Sequence, residues 1–422
     1  MYHAMDLKVY KRRKTAARKT PPPAELLDEL VTEILLRLPV RSLLRFKSVS
    51  KAWRATISDP FFIRSHLRQS ASRWRRNPSL LVTPHALNYV LEDEPWPTTF
   101  STNIRFYEWH ASEPAAARFA MHGGDFRGEF NSVCYFAHCD GLVVAPTDTN
   151  VYLFNPATRE AMTLPDSDRN KMYRYDVEVC PPVGLGRDPR TGRHKVVRAF
   201  YRSRDPVTGV HDMGMEVFTV GGDAHSWRQT AADPPYPVAE WSTAVFADGA
   251  LFWVIEDRGL DRSPQGLLRL SLDDDESFSV TRLPDSLDPA LDDCFNLDEV
   301  HGELCLTAFD SSSEGSRLRL LKIWTLVEEG ARWEHRYSLP ISAMVHPVAL
   351  LPGGGEMMVR AGQYFCRYDL QKHELATVCT TARPRSLLSL GEKSFISMSY
   401  PTPRAWSQLL VPLLIKKHRQ TN

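Results

Sequence analysis

The chain has 422 residues, a formal net charge of +1, 43% hydrophobic residues and seven cysteines. Its length implies more than one domain with ample apolar material for a core, and its balanced charge argues against a chain that binds polyanions as a whole. The odd, irregularly spaced cysteines argue against a disulfide framework and for a reducing compartment, and no stretch reaches the ~20 apolar residues of a membrane helix.

Residues 1–23 form a basic arm. Lys8, Lys11, Arg12, Arg13, Lys14, Arg18 and Lys19 face a single acid, Asp6, and the arm ends at Pro21-Pro22-Pro23. Without apolar periodicity it is expected to be disordered. The run Lys11, Arg12, Arg13, Lys14 reads either as a nuclear localisation signal or as a solvated tail. No apolar run follows these charges, so no secretory signal is expected, and the compartment is nucleus and/or cytoplasm.

Residues 24–68 are helical in pattern. Leu26, Leu27, Leu30, Val31, Ile34, Leu35 and Leu38 cover an arc of roughly 180° on one helix, wider than the ~100° stripe of a surface helix. Pro39 ends that helix, lacking the amide proton and clashing with the preceding turn. Ser42 is expected to cap a second helix carrying Leu43, Leu44, Phe46 and Val49, and Ser50 a third carrying Trp53 and Ile57, stopping at Asp59-Pro60. Fifteen of the 32 residues from 26 to 57 are Leu, Ile, Val, Phe or Trp. A unit this small sits near the ~40-residue limit below which a domain needs outside help. Its surplus apolar surface is therefore buried either against a partner or against the rest of the chain.

Residues 69–78 are a linker. Arg64, Arg68, Arg73, Arg75 and Arg76 with Trp74 form a basic stretch that could hold phosphates and stack a base. A solvated last helix turn and linker is the preferred reading, and nucleic acid is not an expected partner.

From residue 79 to 415 short runs of Val, Leu, Phe, Tyr and Trp alternate with Gly, Asp, Asn and Pro clusters, which is strand-and-turn punctuation. The region repeats itself. Units open at tight turns with Gly141, Gly249, Gly302 and Gly355, and three close on Leu-Pro, at Leu164-Pro165, Leu283-Pro284 and Leu339-Pro340. A more degenerate unit spans 184–230, where Trp227 opens a strand. Asn155-Pro156 and Asp188-Pro189 read as turn starters. The spacing of roughly 45–65 residues is close to the ~50 of kelch-like blades. A meander of three or four strands cannot bury both faces alone, and radial stacking buries them. The expectation is an all-β, propeller-like domain rather than an irregular sandwich, with LLVT (80–83) and FISMSY (395–400) as closing strands. Residues 416–422 are a basic tail.

Signs of chemistry are few. No Walker loop, Rossmann fingerprint or Gly-x-Ser-x-Gly elbow is present. Cys134 and Cys139 flank His138 without a matching second pair, so no zinc site is expected. Asp273, Asp274, Asp275 and Glu276 read as a solvated hairpin tip. No catalytic residue, cofactor or metal is assigned.

Residues 26–53 read L-x-x-x-L-x-x-E-I-L-x-R-L-P-V-R-S-L-L-R-F-K-S-V-S-K-x-W, followed by SDPFF at 58–62. This resembles the F-box motif of plant F-box proteins, although Leu27 stands where the family usually has proline. CDGL (139–142), LFNPATRE (153–160), GRDPRTGRHKVVR (186–198), SW (226–227), LFW (251–253) and KIWTL (322–326) resemble the F-box-associated domain of the same proteins. The resemblance implies an α+β chain, with a small three-helix F-box before the propeller-like domain. It also implies docking on the Skp adaptor of Skp–cullin–F-box ubiquitin ligases through Leu26, Leu30, Ile34, Leu35, Pro39, Leu43, Leu44, Val49 and Trp53, with Leu35, Pro39 and Trp53 dominant. The implied role is a non-catalytic substrate-recognition adaptor whose β domain binds a target protein that the sequence does not name. The alternatives are a glycan- or small-molecule-binding propeller, or an enzyme, with the F-box only for regulation. A further alternative is a nuclear, nucleic-acid-associated protein led by the basic arm.

Overall fold

A computed structural model describes residues 27–63, 65–66, 69, 79–86, 103–110, 118–125, 136–147, 149–169, 181–205, 211–222, 226–238, 242–256, 266–273, 275–287, 295–310, 319–327, 332–341, 344–361, 364–380 and 394–399. Three helices come first: α1 (Asp28–Leu36), α2 (Val40–Phe46) and α3 (Lys51–Ser58). Asp28 and Glu29 place negative charge in the first turn of α1, where the helix dipole favours it. α1 tightens at its end, with Arg37 N donating to Ile34 O and Leu38 N to Leu35 O. The second helix is capped at Pro39, three residues before the expected cap Ser42, and begins at Val40. Pro39, at φ −63°, is already set for helix entry, and its carbonyl accepts from the amides of Ser42 and Leu43. Ser50 caps α3 as expected, its Oγ accepting from Trp53 N at 3.0 Å. Asp59 ends α3 and restarts a helical turn, its Oδ1 accepting from Phe61 N at 2.8 Å and Phe62 N at 3.1 Å. No helix among the described residues is long and apolar enough to cross a membrane.

The remaining described residues build six four-stranded antiparallel sheets. The first contains β1 (Ser79–Ala86), β2 (Asn103–His110) and β3 (Arg118–Asp125). The second contains β4 (Ala137–Cys139), β5 (Leu142–Pro146), β6 (Val151–Asn155) and β7 (Glu160–Thr163). The third contains β8 (Val183–Arg187), β9 (His194–Arg204), β10 (His211–Thr219) and β11 (Arg228–Gln229). The fourth contains β12 (Val245–Ala247), β13 (Ala250–Val254), β14 (Gly266–Ser271) and β15 (Phe278–Arg282). The fifth contains β16 (Phe295–Val300), β17 (Glu303–Phe309), β18 (Arg319–Val327) and β19 (Arg332–Ile341). The sixth contains β20 (His346–Leu350), β21 (Glu356–Ala361), β22 (Tyr364–Asp369) and β23 (Glu374–Thr380). The last strand, β24 (Ser394–Ser399), returns to the first sheet, whose order is β24-β1-β2-β3. The expected closing strands do meet: Leu81 lies opposite Ser399 and Thr83 opposite Ser397. The first strands of successive sheets neighbour one another from β24 through β4, β8, β12 and β16 to β20, so the sheets are propeller blades around an axis.

The four repeats that opened at a glycine turn began one strand late, whereas the degenerate unit at 184 starts on the first strand of its blade, β8. The glycine turn that opened each of the four joins the innermost strand to the second. Asp140-Gly141, Asp248-Gly249 and His301-Gly302 all have positive φ at both positions, the geometry of the two-residue hairpin turn that matches strand twist. In the sixth blade the positive-φ pair is Gly353-Gly354, so Gly355 falls just past the turn. The turn starters behave as expected. Asn155 Oδ1 accepts from Thr158 N, and Asp188 Oδ1 accepts from Arg190 N and Thr191 N.

The blades are joined by side chains that reach across the seams. Trp227, opening the outer strand of the third blade, donates from Nε1 to Pro165 O at 2.6 Å, and Trp333 in the fifth donates to Arg282 O at 2.7 Å. The end of the second blade, at Pro165, and that of the fourth, at Arg282 just before Leu283-Pro284, thus each meet a tryptophan of the next. Buried Lys195 bonds Asp188, Glu276 and the Leu272 carbonyl between the third and fourth blades. Glu276 also pairs with Arg228. It is therefore no solvated hairpin tip, because two cations from the neighbouring blade draw it inward, and it is 3% exposed. Around the axis, His346 Nδ1 sits 3.1 Å from Asp298 Oδ1, tying β20 to β16. Beside it, burial raises the Glu299 carboxyl to about 7, helped by the charge of Asp140 and opposed by the hydrogen bond from Gly302 N.

Two outcomes follow from the seams. Trp227→Phe, which keeps a ring but loses the donor to Pro165, should lower stability by about 1–2 kcal/mol, and Trp227→Ala by about 3–5 kcal/mol, read as a shifted denaturant midpoint. Glu299 holds its proton more tightly folded than unfolded, so stability should fall as pH rises from about 4.5 to about 7 and then level off. Its contribution is on the order of 3 kcal/mol, and Glu299→Gln should flatten the chain's stability profile across that window.

Candidate interaction face

The front helices have two apolar sides with different fates. Leu35, Leu36, Val40, Leu43, Ile57, Phe62 and Ile63 are buried in one core with Val144, Leu153 and Trp227 of the second and third blades. Phe46 and Trp53 meet edge to face, with ring centroids 5.2 Å apart, at the margin of that core. Burial lowers the Lys47 ammonium, against the opposing charge of Glu160 at the start of β7. The helices are therefore fixed to the propeller through a shared core.

The other side faces outward. Leu27, Leu30 and Ile34, spaced as one stripe of α1, are 66%, 50% and 48% exposed, Val49 is 61% exposed and Phe61 72%. Among the described residues only one other large hydrophobic is comparably exposed, Leu375 in β23. Isolated exposed apolar residues are ordinary, whereas their concentration on one short module makes this the candidate interaction face. A groove of about 420 Å³ adjoins it between α1 and α3, lined by Thr32, Leu36, Thr56, Asp59, Phe61 and Phe62 among others.

The residues expected to dock an adaptor divide accordingly. Leu30, Ile34, Pro39 and Val49 are exposed, and Leu44 and Trp53 are half-buried. Leu35 and Leu43 are 1% and 0% exposed. They lie in the chain's own core, in one apolar cluster with residues of the second and third blades, and the outward face is correspondingly narrower. Leu26 and the run Lys11, Arg12, Arg13, Lys14 lie outside the described residues, as do Arg64, Arg68 and the linker basic residues. Leu27 and Phe61 belong to the face but were not singled out in sequence. The broad arc on α1 was the signal for Leu27, and nothing local distinguished Phe61 from buried Phe62.

Among the described residues, one group places metal-ligating atoms together: Cys139, Asp140 and His194, whose ligand atoms all lie within 4.8 Å of one another. This is not the trio of Cys134, His138 and Cys139 weighed in sequence. Cys134 lies outside the described residues, and burial lowers the His138 imidazole to about 4.

Residues 25–65 match the F-box domain, and residues 103–350 match the F-box associated beta propeller domain. An F-box protein of Arabidopsis thaliana is 32% identical over 222 residues, which is 52% of this chain and 49% of that protein. An F-box/kelch-repeat protein of the same plant is 24% identical over 326 residues, 74% of this chain and 71% of that one. The chain thus spans about half the length of the first relative. An F-box at the front and the matched propeller, which alone covers more than half of the sequence, place this chain in the family of plant F-box proteins with an F-box associated β-propeller domain.

Proposed function

We propose that the chain is the substrate-recognition adaptor of a Skp–cullin–F-box ubiquitin ligase. Its helices dock on a Skp-family adaptor and through it on cullin, and its propeller holds a target protein. The observation that carries this reading is the outward stripe of Leu27, Leu30 and Ile34 with Val49 and Phe61, left over after the opposite side is buried. Apolar surface of that density on a short module needs a foreign surface to leave water.

The mechanism is positioning. The shared core fixes the distance and direction between the docking face and the blades, since close-packed interiors transmit displacement rather than absorb it. A target held on the propeller then has its lysines at high effective concentration near the ubiquitin-loaded partner. In this reading the chain supplies no catalytic residue, works in the nucleus and/or cytoplasm, and selects its target through loops at one rim. Those loops lie largely outside the described residues.

Paired affinity purification with the proteasome inhibited tests the proposal. The triple variant Leu30→Ala, Ile34→Ala, Val49→Ala should lose its ligase subunits at least about tenfold, each contact being worth on the order of 1–2 kcal/mol, while targets and melting temperature are retained. Undiminished co-purification of those subunits would sink the reading. Leu35→Ala should behave differently, costing about 2–5 kcal/mol of folding stability, because its side chain is core.

A further inference from the structure

Cys139 ends β4, Asp140 opens the turn to β5, and His194 begins β9 in the next blade. The three are 3%, 7% and 5% exposed. His194 Nε2 is buried with no hydrogen-bond partner, and it lies 3.5 Å from Asp140 Oδ2, too long for a good hydrogen bond. A buried ring nitrogen without a partner, aimed at a carboxylate and a thiol, is the arrangement that a cation would complete.

We propose that Cys139 Sγ, the Asp140 carboxylate and His194 Nε2 form a site for a zinc-class divalent ion that staples the second blade to the third. A sulfur, a nitrogen and an oxygen make a borderline-soft donor set, suited to zinc or cobalt and poorly suited to calcium or magnesium. Three protein donors leave the fourth tetrahedral position to a water, and burial of all three closes the site to substrates, so the role is structural. The ion takes the place of the thiol proton, which passes to solvent, and no redox change is involved. Arg187 is the competitor, with its Nε 2.9 Å from Asp140 Oδ2. Its side chain is 22% exposed, so it has a path outward.

The test uses the full chain, stripped with a chelator and titrated with cobalt(II). One ion per chain should bind, with the near-ultraviolet band of sulfur-to-cobalt charge transfer. Cys139→Ser should abolish that band, and His194→Gln should weaken binding about tenfold or more. Arg187→Gln should tighten it several-fold by removing the competing cation. X-ray absorption on zinc-loaded wild type, which depends on no variant's folding, should show one sulfur at about 2.3 Å with lighter donors. The proposal fails if the wild type binds no cobalt at micromolar concentration or the band survives in Cys139→Ser. It also fails if Arg187→Gln leaves affinity unchanged or lower, or if the zinc shell contains no sulfur or several.

Discussion

The constraint on which this molecule rests is closure of the ring. Four antiparallel strands bury neither face alone, and a row of such blades would leave both end blades wet on one side. Pairing β24 with β1 removes those ends, since a strand from the far end of the chain takes the first place in the first blade. Stacking then buries Tyr152, Phe154, Trp253, Leu306, Phe365 and their neighbours, each burial removing apolar area from water at roughly 25 cal/mol per Å². It also joins residues hundreds of positions apart, so local contacts cannot finish the fold before the last strand arrives.

The seams explain why certain motifs recur. The ends of the second and fourth blades each present a carbonyl to an indole of the next, Pro165 to Trp227 and Arg282 to Trp333. The buried charges serve the same seams. Glu216, fully buried, is held by Arg198 and Arg169, and Arg198 lies over the Trp227 ring at 4.3 Å. Such pairs add little net stability over apolar packing, but leaving one partner unmatched is costly, so they discriminate against blades docked out of register. Cys139, Asp140 and His194 meet across the same seam between the second and third blades, and for that reason a bound ion there would act as a staple.

The helices use the ring as a platform. One side of the module completes the core beside the second and third blades, which supplies the burial that so few residues could not provide for themselves. The other side is thereby held outward in a fixed orientation. A single division of apolar residues thus stabilises the module on one side and leaves the candidate docking face on the other.

Much of this was legible in the amino-acid order. The caps at Ser50 and Asp59, the break at Pro39, the glycine turns and the repeat length follow from interactions within a few residues, and the F-box and blade motifs are strings of such local signals. The outward residues Leu30, Ile34 and Val49 could be named because the F-box resemblance carries a docking surface onto those positions. Periodicity could not say which side of α1 would be covered, so Leu35 and Leu43 passed for surface. Nor could it see that Glu276 answers Lys195 and Arg228, or that His194 lies beside Cys139. Those facts belong to tertiary structure alone. They arise where blades meet, between residues whose separation along the chain carries no pattern, and burial and charge pairing there are fixed only when the ring closes.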